Sequence, residues 1–157
     1  MRVKMENMWK TCDGTDKDFQ YMCRLLDEDL DRRVGKAVQR EKYAQYNTVE
    51  KISEALVYYI EDKPVACGAI RKYDDLSVEL KRVFVMPEYQ GKGIGTELVL
   101  KLENWAKELG YLNMILETGM ILKEACALYQ KLGYEAIPNY GPYVNMPESL
   151  CMAKKLG

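Results

Sequence analysis

A chain of 157 residues with 48% apolar and 30% charged side chains has the composition of one ordinary globular domain, spanning 1–157, with room for a single hydrophobic core. Its 23 basic and 24 acidic side chains leave a net charge of −1, which denies it the broad cationic surface that counterion-driven nucleic-acid binding needs. Histidine is absent, so the commonest general base and the commonest zinc ligand are both missing: no metal is expected, and acid–base work falls to Glu, Asp, Lys, Tyr, Cys or water.

The opening "MRVKMENMWK" mixes charge with short apolar pieces, and nowhere do about 18 apolar residues run together. A cytoplasmic protein with no membrane partner is expected. Cys12, Cys23, Cys67, Cys126 and Cys151 are odd in number and form no C-x-x-C pair, which reads as reduced, buried thiols.

In chain order, a short strand around Met8 to Cys12 is followed by Asp16, a helix cap, and by Phe19, Met22, Cys23 and Leu26 at helical spacing until Gly35. A weaker helix or irregular segment through "KAVQREKYAQYN" carries Tyr43 and Tyr46. "ALVYYIEDKPVACGAIRKY" reads as a hairpin, strands Ala55 to Glu61 and Val65 to Tyr73, with the turn at Asp62 and Lys63 and Pro64 at its edge. "SVELKRVFVM" is a central strand by its β-branched and aromatic content. Ile94, Leu98, Leu102, Trp105 and Leu109 then repeat at helical spacing until Gly110. "LNMILE" is a strand and "KEACALYQKLG" a short helix with the apolar stripe Leu122, Ala125, Leu128 and Leu132 and Tyr129 at its edge. "YEAIP" and "SLCMAKKL" supply two last strands. The order predicts a mixed α/β fold with a largely antiparallel sheet and one parallel pair around the long helix.

Between the central strand and the long helix stand Gly91, Gly93 and Gly95. Such a junction offers unpaired backbone N–H groups and the positive end of a helix dipole, with no side chains to keep an anion such as pyrophosphate at a distance. A tight turn alone would need fewer glycines. A Walker A loop fails because the lysine of "GKGIGT" precedes the middle glycine, and a Rossmann fingerprint fails on Thr96 and on the mid-chain position.

"VFVMPEYQGKGIG" followed by an amphipathic helix resembles the acetyl-CoA signature of the GCN5-related N-acetyltransferase (GNAT) superfamily, Gln/Arg-x-x-Gly-x-Gly/Ala, matched by Gln90, Gly93 and Gly95. A second element of that family, Leu-Tyr followed by Gly-Tyr or Gly-Phe, is matched by "ALYQKLGY". The resemblance covers roughly Ala55 to Leu156. It implies a single-domain fold whose central parallel strands, Val78 to Met86 and Leu112 to Glu117, splay apart. It also implies a pantetheine arm bonded to backbone near Phe84 and Val85, and a pyrophosphate on the N–H groups of Gln90, Gly91, Lys92, Gly93, Ile94, Gly95 and Thr96. Acetyl-CoA is then the co-substrate and an amine the acceptor.

An alkyl ammonium costs on the order of 4 kcal/mol to deprotonate at neutral pH, so a carboxylate acting directly or through water is the expected route. Glu79 stands eleven positions before Gln90, which resembles the place of the catalytic glutamate in the histone-acetylating branch; Glu117 in "ILETG" is second. Either could instead be paired with Lys81, Arg82 or Lys123. Tyr129 matches the family tyrosine that stabilises the departing thiolate, against simple core packing. "NYGPYVNMPES" supplies Tyr140, Tyr143 and Asn145, which with Tyr43 and Tyr46 could line an acceptor pocket or merely pack a loop. The near-neutral chain favours a small amine or amino acid over a protein target. A protein acetyltransferase and a non-catalytic acyl-CoA-binding module are the alternatives, and a homodimer through the C-terminal strands stays open.

Overall fold

The computed structural model describes residues 7–35 and 49–157. Within them the chain forms β1 (Met8–Cys12), α1 (Lys17–Val34), β2 (Glu54–Ile60), β3 (Lys63–Lys72), β4 (Ser77–Val85), α2 (Ile94–Glu108), β5 (Asn113–Gly119), α3 (Lys123–Lys131), β6 (Glu135–Ile137) and β7 (Ser149–Lys155). The strands make a sheet of order β1-β2-β3-β4-β5-β7-β6, in which β4 and β5 run parallel while β1-β2, β5-β7 and β6-β7 run antiparallel. The weak helix expected around Tyr43 and Tyr46 lies outside the described residues.

The described residues group into two compact units, one from the chain up to Ala69 with Arg82–Val99, the other from Ile70–Lys81 with Leu100–Gly157. In the first, Asp16 accepts the Phe19 N–H at 2.9 Å and so caps α1, while the Gly35 N–H closes its other end on the Asp31 carbonyl. The four apolar positions expected on one face of α1 are all buried, against Ala55, Val57 and Tyr59 of β2, Cys67 and Ala69 of β3 and Phe84 of β4. Each large side chain so buried contributes about 1.5–3 kcal/mol relative to an exposed one.

The hairpin turn sits one residue earlier than its composition suggests. Glu61 and Asp62 carry it, with φ of +50° and +67°, and Pro64 falls inside β3. A two-residue hairpin loop matches the twist of its strands only when both central residues are left-handed, which excludes proline from either place.

One residue of β4 also takes a left-handed conformation. Arg82 has φ +59° and is buried, its Nη2 donating to the Cys23 carbonyl at 3.0 Å and to Asp27 Oδ1 at 3.0 Å. Its own carbonyl accepts the Cys67 thiol at 3.3 Å, and its Nε is the one buried side-chain nitrogen or oxygen without a partner among the described residues.

The second unit is built on register. Glu79 pairs with Ile115, and Ile115 with Ala153, so strand alternation puts Ser77, Glu79 and Lys81 on the same face as Asn113, Ile115 and Glu117 and as Ser149, Cys151 and Ala153. The opposite face presents Val78, Leu80, Met114, Leu116 and Met152, all buried. The parallel ladder covers only Ser77↔Asn113, Val78↔Met114 and Glu79↔Ile115, although both strands continue well beyond it. This is the splayed pair the family resemblance implies.

Two details of helix burial differ from the periodicity reading. In α2 the buried positions are Ile94, Leu98, Val99, Leu102 and Ala106, whereas Leu109 is exposed because the helix stops at Glu108 and Gly110 turns the chain with φ +94°. In α3 the stripe Leu122, Ala125, Leu128 and Leu132 is half-buried, and Tyr129 is the residue that is buried.

Candidate functional site

The glycine turn belongs to the first unit. After β4, a 3-10 turn over Pro87–Tyr89 leads to Gln90, whose amide Nε2 donates to the Val85 carbonyl at 2.9 Å and fastens the turn to the strand it leaves. The Met86 N–H is spent on Val65 of β3, so alternation aims the N–H and C=O of Val85 away from β3. Gly91 and Gly93 have φ of +78° and +83°, and a Cβ built on either would meet nothing within 4 Å. Backbone there is left-handed, which a side chain disfavours, and it faces open space. Gly93 O accepts the Glu97 N–H at 3.1 Å, the first bond of α2, so the N–H groups of Ile94, Gly95 and Thr96 precede the helix's own ladder. Lys63 and Lys92 place their ammonium groups 5.7 and 5.6 Å from the centre of the Tyr89 ring, which adds positive charge beside this donor-rich end.

The carboxylates belong to the second unit. Glu79 is 9% exposed and is the last residue of β4 paired with β5, so it stands where the two strands part. Its Oε2 accepts the Tyr140 hydroxyl at 2.6 Å, and its Oε1 lies 3.8 Å from Lys81 Nζ. Of the partners considered from sequence, Lys81 is thus present but beyond hydrogen-bond reach, and Arg82 is committed to Asp27. Burial and the neighbouring Glu79 carboxylate push the Tyr140 phenol far above its ordinary pKa, so this hydroxyl is a donor at any working pH. The Tyr140 ring meets Tyr73 and Tyr143 edge to face, with centroids 5.2 and 5.6 Å away. The Asn139 amide holds the loop by donating to the Tyr143 and Met146 carbonyls.

Glu117, two residues beyond Ile115 on the same face as Glu79, accepts the hydroxyl of buried Ser149 at 2.7 Å. Cys151 stands opposite Glu117 in the ladder; burial raises its thiol pKa, the Tyr140 backbone N–H works against that, and the fields of Glu117 and Glu79 add to it. Glu79, Glu117, Tyr140, Ser149 and Cys151 are therefore one electrostatic neighbourhood.

Tyr129 is 7% exposed and meets Tyr134 edge to face at 5.8 Å. Tyr134 is pinned in turn, donating to the buried Glu103 carboxylate at 2.8 Å, whose other oxygen takes Lys154 Nζ at 2.8 Å. Burial, reinforced by Cys126 and Glu117, lifts the Tyr129 phenol well above the usual tyrosine range. No hydrogen-bond partner stands at its hydroxyl among the described residues.

The structure thus gathers Glu79, Glu117, Tyr140 and Tyr143 in the second unit and Phe84, Val85 and Gln90 to Thr96 in the first. Asn145 is exposed, and Tyr43 and Tyr46 lie outside the described residues. Sequence reasoning missed Tyr73, Ser149 and Cys151. The last two share a face with Glu117 by strand alternation, a signal that becomes usable only when the β5-β7 register is known.

The model of the acetyltransferase (GNAT) family matches residues 19–134. The chain belongs to the GNAT acetyltransferase family. An IAA acetyltransferase of Azospirillum brasilense is 35% identical over 135 residues, covering 83% of this chain and 88% of that one. Further relatives match over less, the chain spanning 35%, 47% and 64% of their own lengths. A Klebsiella pneumoniae structure described as an acyl-CoA N-acyltransferase superposes with a TM-score of 0.77 at 28% identity, covering 96% of this chain and 98% of that one. The PaiA N-acetyltransferase of Thermoplasma acidophilum, solved with coenzyme A, shares the fold with a TM-score of 0.74 at 18% identity, over 96% and 99% of the two chains.

This GNAT chain is accordingly an acetyltransferase enzyme, and acyl-CoA-dependent N-acyl transfer is its reaction class. Its glycine turn has features that fit the diphosphate of such a donor: left-handed backbone, open space where side chains at positions 91 and 93 would stand, and three leading N–H groups at a helix N-terminus. Among the described residues no helix is long and apolar enough to cross a membrane.

Proposed function

We propose that the enzyme acetylates the primary amine of a small molecule or amino acid, with acetyl-CoA as donor and direct attack of the amine on the thioester. Gly91 to Thr96 hold the diphosphate through backbone N–H groups, and the outward N–H and C=O of Val85 meet the pantetheine amides. When bound, acetyl-CoA supplies the activated acyl group and a thiolate leaving group. Glu79 takes a proton from the acceptor ammonium, directly or through one water, at Oε1, because Oε2 already accepts Tyr140, and the neutral amine so formed attacks the thioester carbonyl. Tyr129 donates a hydrogen bond to charge developing on sulfur, and Glu117 carries a second carboxylate on the face of Glu79. The observation that carries this reading is the place of Glu79: almost buried, at the point where the parallel strands part, with Oε2 fixed by Tyr140 and Oε1 3.8 Å from Lys81 Nζ with no hydrogen bond among the described residues.

A small acceptor is favoured by the near-neutral chain and by the compact ring cluster of Tyr73, Tyr140 and Tyr143 beside that carboxylate. The test combines a thermal shift with acetyl-CoA and thiol release against a panel of amines and of peptides. Stabilisation by acetyl-CoA and thiol release with small amines are expected, with Glu79→Gln slower by roughly 10²-fold at neutral pH and by less at alkaline pH, where free amine exists without help. Turnover on peptides alone would shift the acceptor to a protein. An activity loss in Glu79→Gln that is constant across pH would make Glu79 a structural carboxylate and pass the role of base to Glu117.

A further inference from the structure

The sequence reading gives Tyr140 to the acceptor pocket, but the geometry points elsewhere: we propose that Tyr140 is a positioning residue for Glu79, fixing one carboxylate oxygen so that the other faces the acceptor nitrogen. The inference rests on the reading of Glu79 as proton acceptor and deepens it. A glutamate side chain on a strand has three rotatable bonds, and a base that must meet a proton within hydrogen-bond reach loses rate when those bonds are free. Here the short Tyr140 hydrogen bond at 2.6 Å takes Oε2, and its ionic character makes it one of the stronger kind. The donor itself is held. Its ring is wedged between Tyr73 at the start of the β3-β4 turn and Tyr143 in its own loop, each edge to face. The loop is tied by Asn139 to two backbone carbonyls, and buried Tyr143 closes a 3-10 turn over Gly141–Tyr143. Three segments distant in sequence converge to place one hydroxyl on one carboxylate oxygen.

That arrangement suits a positioning role better than an acceptor contact. The single proton of this hydroxyl is given to Glu79, so its direction is fixed by the carboxylate. The groups that face the pair are Lys81 on the same strand, Glu117 on β5, Cys151 on β7 and Tyr143 in the loop. Among these contacts the Tyr140 donor is the neutral one, which can be removed without changing the charge of the neighbourhood.

Tyr140→Phe keeps both ring contacts and deletes the donor. Steady-state kinetics across pH, on an acceptor whose chemical step limits turnover, should show kcat reduced about tenfold. The acidic limb of kcat/KM should move to higher pH, while the acceptor KM and the acetyl-CoA Kd stay close to wild type and the melting temperature falls by about 2–10 °C, as for any donor lost from a nearly buried carboxylate. In a Glu79→Gln background the same substitution should cost nothing further, because there is no base left to position. An acceptor KM that rises with kcat and the acidic limb unmoved would return Tyr140 to the acceptor pocket and overturn the proposal. So would a kcat loss that persists undiminished in the Glu79→Gln background. Full activity of Glu79→Gln by itself would overturn the base assignment and the positioning role together, a result distinguishable from the other two because it needs no change at Tyr140.

Discussion

Tyr129→Phe and Tyr134→Phe make the same chemical change on neighbouring rings, and the structure assigns them opposite consequences. The Tyr129 hydroxyl has no protein partner among the described residues, so its loss should cost within about 0.5 kcal/mol of stability. The edge-to-face contact with Tyr134 at 5.8 Å survives in either variant. The Tyr134 hydroxyl, by contrast, donates to a 6% exposed carboxylate, so its removal should cost about 1–3 kcal/mol, or some 2–10 °C in Tm for a chain of this size. Activity should run the other way. An ordinary tyrosine at about pKa 10 and a thiol at about 8.5 already make full proton transfer to the thiolate uphill by roughly 2 kcal/mol, and burial lifts Tyr129 further. In the proposed reaction Tyr129 therefore serves as a hydrogen-bond donor to charge on sulfur rather than as a full proton donor, an interaction of about 1.5–3 kcal/mol, which sets the expected loss of turnover in Tyr129→Phe at about 10–100-fold. Thermal melts of both variants, with thiol release followed on an acceptor whose chemical step is rate-limiting, give the two numbers for each. Wild-type turnover in Tyr129→Phe would reduce the residue to a packing role, and a fall in its Tm to match Tyr134→Phe would show that the hydroxyl has a structural partner.

Gly93→Val adds a β-branched side chain at φ +83°, so it should cost about 1–3 kcal/mol of strain and close the anion approach; calorimetry on the folded variant should find acetyl-CoA binding lost, and unchanged affinity would place the donor elsewhere. The alkaline limb of stability follows from the phenols. Tyr59, raised to about 12 by burial and its bond to Asp18, and Tyr129, Tyr134 and Tyr140, raised mainly by burial, ionise more readily in the unfolded chain, whose tyrosines titrate near pH 10. Stability from these groups is complete below about pH 10 and falls as pH rises above it. Urea melts from pH 8 to 11 should show this decline, with phenolate absorbance from the buried rings appearing only on unfolding; early ionisation of all tyrosines would refute the burial argument.

Local rules carried much of the fold. β1 and the buried face of α1 follow from a capping aspartate and helical spacing that no long-range partner needs to supply. The glycine turn was legible for the same reason, since left-handed backbone before a helix is written in the composition of a few adjacent residues. What stayed hidden depends on pairs far apart. Tyr140 and Glu79 are 61 positions apart, and Ser149 and Glu117 are 32 apart, so neither bond leaves a trace in any periodicity. The core packing weighed for Tyr129 is present, its ring being buried against Tyr134, whereas the apolar stripe beside it is only half-buried. The hairpin was shifted by one residue because proline attracts the turn in composition, whereas the backbone twist assigned it to Glu61 and Asp62.

Position 82 is held by two requirements that pull toward different amino acids. The backbone at φ +59° is cheapest for glycine, by about 1–2 kcal/mol over a residue with a side chain. The space around it calls for a long forked cation, since the Cys23 carbonyl and Asp27 both take their hydrogen bonds from Nη2. Glycine would relax the strand and strip the Cys23 carbonyl of this donor; lysine would keep a charge but not the planar fork, and would keep the strain as well. Neither single replacement meets both requirements. Drift at this position must pass through a coordinated change in α1, which ties the local geometry of β4 to a helix 55 residues earlier in the chain.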